Sequence, residues 1–78
     1  MTNEEYTSAL KEIQLRKKRI QILDKQRQDE ELLLVAEYKV DECNQKRQII
    51  IQKYEKLKKV ISDEIIQITT SINQAIGD

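Results

Sequence analysis

Between Thr2 and Ile76 the chain contains neither glycine nor proline, and its one glycine is Gly77. These are the two residue types that most strongly interrupt a backbone, so a helix that starts near the beginning can continue until weaker signals or packing stop it. Both ends are marked. Thr2 and Glu5 have the spacing of a capping box, in which the hydroxyl accepts from the amide of residue 5 and the carboxylate reaches back. Gly77 is suited to the left-handed conformation that ends a helix.

The last third of the chain carries the clearest pattern. Ile50, Tyr54, Leu57, Ile61, Ile65, Ile68, Ile72 and Ile76 recur at steps of three and four, an apolar stripe along one face of a helix about 40 Å long. Such a stripe must be buried against another helix. A second and poorer one runs through Tyr6, Ala9, Leu10, Ile13 and Ile20 to Leu34, Val35 and Tyr38, with Lys17, Asp24, Arg27 and Glu31 on the same face. The stems of Lys17 and Arg27 are expected to cover apolar surface while their charges reach water; polar seam residues that fix register are the alternative. The Ile- and Thr-rich segment 65–72 has local strand propensity but no turn signals and no partner strand, so helix is expected there too.

The expected fold is all-α: an antiparallel two-helix hairpin, a helical coiled coil, that dimerises into a four-helix bundle. A single domain over residues 1–78 is expected, with arm 1 about 3–41, a turn about 42–46 and arm 2 about 47–76. The turn is placed in the polar run Asp41 to Gln48 because Asn44 is the internal residue best able to adopt a turn conformation. Folding there sets Tyr38 opposite Ile50, Leu34 opposite Tyr54 and Ile20 opposite Ile68. It also sets Asp29 near Lys59, Glu30 near Lys58 and Lys25 near Asp63, with one like-charge conflict between Asp24 and Glu64. One long parallel coiled-coil helix, or three helices with a further break at 24–31, are the competing arrangements.

A lone hairpin leaves much uncovered. Leu32 to Ala36 and Ile49 to Ile51 are apolar around most of the helix, and Leu15, Ile22 and Ile66 lie off both stripes. At about 25 cal/mol per Å² of apolar surface, leaving several Leu and Ile in water forfeits several kcal/mol. A chain of 78 residues has a modest core to draw on. The single Cys43 excludes an internal disulfide, and with no histidine there are no ligands for a zinc site. Oligomerisation or a dedicated partner remains as the source of cover.

Chemistry is scarce. With no histidine and no glycine-rich loop, a general base at neutral pH, a His-containing di-metal site and a phosphate cradle all lack their usual residues. No enzymatic activity and no cofactor are expected. Cys43 is read as an incidental residue near the turn, with an intersubunit cross-link as the lesser alternative. The acidic, polar start does not resemble a signal peptide, and the longest apolar run, Leu32 to Ala36, is far short of a bilayer span. A cytoplasmic location is expected.

The charges cancel, 14 basic against 14 acidic, and the main local excess is Arg16-Lys17-Lys18-Arg19. In the register above it faces Thr69 to Ser71, which supply no acids, so an unpaired patch is expected. The lesser cluster Lys53 to Lys59 is expected to be neutralised by Asp29 to Glu31. The layout resembles small helical secretion chaperones, assembly factors and RNA-regulating antiparallel bundles in architecture, with no motif specific to any of them. The expected function is a non-enzymatic protein–protein interaction module, an assembly chaperone, adaptor or structural coiled coil. Its partner would be a second copy or another helical protein. The alternative is a small nucleic-acid-binding bundle using Arg16 to Arg19; neutral net charge and tyrosines placed on the apolar stripes argue against it.

Overall fold

The computed structural model describes residues 1–77, as two long helices. Helix α1 spans Asn3–Glu37 and helix α2 spans Val40–Gly77. They run antiparallel as a hairpin, and no strand occurs among the described residues. The polar run 24–31 lies inside α1, so the three-helix arrangement is not adopted, and the Ile- and Thr-rich segment 65–72 is helical.

Helix α1 starts as its sequence requires. Thr2 has an extended backbone, and its Oγ1 accepts from the Glu5 amide at 3.1 Å, which is the hydroxyl bond of the capping box. Glu4 and Glu5 place negative charge at the positive end of the helix dipole.

The turn falls earlier than expected. The connection is the pair Tyr38-Lys39, whereas Asn44 and the whole 42–46 segment are helical within α2. Tyr38 leaves α1 in an extended conformation, and its amide still donates to the Leu34 carbonyl at 2.9 Å. The Cys43 amide then donates to the Lys39 carbonyl at 2.9 Å, opening α2. No residue of the connection has a positive φ, so no glycine or asparagine is required there. Asp41, expected at the end of arm 1, and Glu42, expected in the turn, instead occupy the first turn of α2, where acidic side chains complement the dipole. Gly77 is likewise the last residue of α2 and does not take the left-handed conformation.

Moving the turn moves the register. Asp24 meets Lys58, Glu64 meets Arg16, and Glu30 meets Tyr54 and Lys53. Relative to a turn at Asn44 the helices have slid by about one to two helical turns, and a slide by whole turns returns the same stripe to the same neighbour. This is why Ile50, Tyr54, Ile61, Ile65, Ile68 and Ile72 still face α1 although the pairs differ. The like-charge conflict between Asp24 and Glu64 disappears, each having its own cation.

The hairpin is slender. The Cα positions span 57 × 16 × 10 Å with a radius of gyration of 17.7 Å, against about 11–12 Å for a globular domain of this length. Among the described residues only Tyr54 and Ile72 are buried, at 4% and 7% exposure. Around them, the half-buried residues of α1 include Ala9, Ile13, Arg16, Ile20, Leu23, Arg27, Glu30 and Leu34, at strictly alternating steps of four and three. That is the seam of a coiled coil, with charged residues among the apolar ones.

Candidate helix-packing and partner interface

The stripe of α2 faces α1 along most of its length. Tyr54 and Ile72 are buried, and Ile50, Ile61, Ile65 and Ile68 are half-buried. Leu57 remains largely exposed, and Ile76 more so, because α1 begins at Asn3 and offers only its polar first turn beside the end of α2. On α1, Ile13, Ile20 and Leu34 are half-buried, while Tyr6, Leu10 and Tyr38 are mostly exposed. Leu23 is a seam residue that the apolar period in the sequence did not disclose. Asp24 and Lys25 follow it within a polar run, and Arg16, Arg27 and Glu30 interrupt the pattern that would have included it.

Tyr54 joins the apolar and polar halves of the interface. Its ring is buried against α1, its hydroxyl donates to Glu30 Oε1 at 3.0 Å, and Lys53 Nζ lies 5.1 Å from the ring centroid. Lys53 also reaches Glu30 Oε1 at 3.5 Å. Desolvation pushes the Tyr54 phenol above its ordinary value, and the bond to Glu30 and that carboxylate's charge push it further in the same direction. The folded chain therefore holds a proton that the unfolded chain releases first. This contribution to stability is complete below about pH 10 and is lost as pH rises through the folded-state value. Tyr54→Phe is expected to flatten the fall of stability above about pH 10, measured by denaturant melts followed by circular dichroism. An unchanged slope in the phenylalanine variant would remove Tyr54 as its source.

The basic run is divided by the fold. Arg16 faces inward, donating through Nη1 to Glu12 Oε2 at 2.6 Å and through Nε to Glu64 Oε2 at 2.7 Å. The hydrogen bond to Glu12, then that to Glu64, raises its guanidinium above the ordinary value. The expectation of four unpaired cations opposite Thr69 to Ser71 is therefore corrected, because the shifted register brings Glu64 to Arg16. Lys17, Lys18 and Arg19 are exposed. In the second basic cluster, Lys58 pairs with Asp24 at 2.8 Å and Lys53 with Glu30. Glu31 receives both Arg27 at 3.1 Å and Arg47 at 3.5 Å. Partly exposed pairs such as these contribute about 0–1 kcal/mol each, and their main effect is to select one register over another.

Cys43 sits where the two helices join. Its thiol lies 3.3 Å from the Leu34 carbonyl, which also accepts from the Tyr38 amide, and 3.4 Å from the carbonyl of Tyr38 itself. Lys46 Nζ lies 4.1 Å above the Tyr38 ring. These contacts hold an otherwise unmarked turn.

The remaining surface is strongly apolar. Leu32, Leu33, Val35, Val40 and Ile49 are exposed around the hairpin tip, and Leu15, Ile22, Val60 and Ile66 along its length. One groove midway along the hairpin is lined by Ile22 and Leu23 of α1 and Leu57, Val60 and Ile61 of α2, with Arg19 and Glu64 at its rim. A second near the tip is lined by Leu32, Leu34, Val35 and Cys43 with Gln28, Glu31 and Arg47. Both are shallow clefts between or beside helices, suited to side chains of another helix rather than to an enclosed small molecule. Among the described residues, no cluster of three or more His, Cys, Asp and Glu could hold a metal ion, and no helix is long and apolar enough to cross a membrane. No known family model, curated protein or solved structure matches the chain.

Proposed function

We propose that the chain is a non-enzymatic protein–protein interaction module, a helical hairpin whose exposed apolar faces are completed by another helical surface. The observation that carries this reading is the imbalance of burial. Among the described residues two side chains are buried, while fifteen large hydrophobic residues are exposed, thirteen of them on the two helices. Contiguous apolar surface on this scale marks association in soluble proteins. A chaperone, adaptor or structural coiled coil acts in this way, by presenting a stripe rather than by chemistry. A reducing, cytoplasmic setting suits a chain whose one cysteine sits as a free thiol at the turn.

The nucleic-acid alternative is weakened by the ion pairs of Arg16, which is held by Glu12 and Glu64 and so is less available to a phosphate backbone. The test of the preferred reading is solution mass by light scattering over a range of concentrations, with circular dichroism on the same samples. A helical oligomer, or a poorly helical monomer that gains helix on adding a partner, is expected. A strongly helical monomer that neither self-associates nor binds a hydrophobic dye contradicts it.

A further inference from the structure

We infer that the partner is a second copy of this chain, seated on the mid-hairpin groove with both hairpins pointing the same way. This rests on the interaction-module reading and names its partner and geometry.

The first argument is area. The chain exposes 6390 Å², whereas a globular monomer of 9.3 kDa exposes about 5,000 Å². The surplus is about 1,400 Å² per chain, so two chains that cover it bury about 2,800 Å² together, within the range of obligate homodimers. The neutral net charge leaves no overall repulsion between copies.

The second argument is complementarity along one face. Ile22 is 56% exposed and Val60 is 60% exposed, and both line the groove. Steps of seven from these positions, or of eleven, stay on the same side of each helix. On α1 they reach Asp29 and Leu33; on α2 they reach Lys53 and Ile49. All four are exposed, Lys53 also reaching Glu30 of its own chain. The pairs Asp24–Lys58 and Arg16–Glu64 fix which residues of the two helices are level. By these pairs Ile22 is level with Val60 and Asp29 with Lys53 to within about half a turn, while nearer the tip, where Glu31 meets Arg47, Leu33 and Ile49 lie about one turn apart.

A two-fold axis along the hairpin lays α1 of one copy over α2 of the other at the same level. It therefore brings Ile22 over Val60 and Asp29 over Lys53, each twice, with Leu33 and Ile49 within about one turn of each other. An axis across the hairpin at Ile22 would instead lay α1 over α1 and set Asp29 opposite Leu15 and Leu33 opposite Lys11, so that neither the acid nor the leucine meets its complement. The parallel arrangement thus satisfies apolar and charged positions together, and it closes into a four-helix bundle.

The experiment combines mass with cross-linking. The unmodified chain is expected at twice the monomer mass by light scattering, and Ile22→Glu with Val60→Glu is expected to halve it. In a Cys43→Ser background, chains carrying Ile22→Cys are mixed with chains carrying Val60→Cys and oxidised. A mixed disulfide dimer is expected, because a disulfide needs Cα atoms within about 7 Å. Disulfide dimers of either chain with itself, with no mixed Ile22→Cys/Val60→Cys dimer formed in the mixture, would overturn the parallel geometry even if the double glutamate variant fails to fold. A dimer that survives Ile22→Glu with Val60→Glu overturns the choice of face and leaves the interaction-module reading intact. A monomer at every concentration overturns the second copy as partner; if that monomer is also poorly helical, the broader reading stands with a different protein as partner.

Discussion

Ile72→Asp is expected to abolish the hairpin at neutral pH. Ile72 is one of two buried side chains among the described residues, and the replacement removes apolar burial and places a carboxylate beside a cleft that Ala9, Ile68 and the acid Glu12 also line. Burying an unpaired charge costs several kcal/mol. A 78-residue chain has a total stability of about 4–12 kcal/mol at ordinary values per residue, so one substitution consumes most of it. Ile76→Asp, one turn further along the same stripe, is the matched control. Ile76 is exposed, and its replacement is expected to change stability by about 0.5 kcal/mol or less. Thermal melts of the two variants read the difference, and an Ile72→Asp protein with undiminished helicity would show that the packing described here does not hold the helices together.

The second large effect concerns the turn. Asn44→Pro is expected to destabilise the chain by about 3 kcal/mol, because Asn44 lies in the second turn of α2, where proline removes a backbone donor and clashes with the preceding turn. Val40→Pro is expected to be nearly neutral. Val40 is the first residue of α2 and is exposed, and the first helical position tolerates proline because its amide lacks an intrahelical acceptor. If Asn44→Pro is tolerated and Val40→Pro is not, the connection lies where Asn44 would place it and not at Tyr38-Lys39.

That contrast also shows where the sequence was informative. Helical class and the face of α2 were legible, because a chain without internal breakers and with isoleucine at steps of three and four has few other ways to bury its side chains. The turn was not legible. Tyr38 and Lys39 are not turn formers, and the connection works through an extended backbone that any residue adopts. The usable signal was the acid pair Asp41-Glu42, which reads more naturally as the start of a helix than as part of a loop. Register was obscured by the helical repeat itself, since sliding by whole turns leaves Ile61, Ile65 and Ile68 still facing α1. The seam of α1 was half hidden because Arg16, Arg27 and Glu30 occupy seam positions beside Ile20 and Leu23.

Those charged seam residues also bear on function. A seam of aliphatic residues alone would tolerate several registers equally, whereas Arg16 with Glu64 and Asp24 with Lys58 favour one. The hairpin is thereby held in a single alignment, and the exposed apolar positions, Ile22 and Val60 among them, are kept level with one another. Fixing the inner seam with charge while leaving leucine, isoleucine and valine outside is the pattern expected of a module that packs further helices against itself.

The most direct test of that central claim is the dependence of thermal stability on protein concentration, followed by circular dichroism. If the exposed faces are satisfied by association of copies, the melting temperature rises with concentration, because only the folded chain gains from the partner. A cooperative melt at high temperature, identical across a hundredfold dilution of a helical monomer, would mean that the hairpin needs no cover, and the account of it as an interaction module would fail.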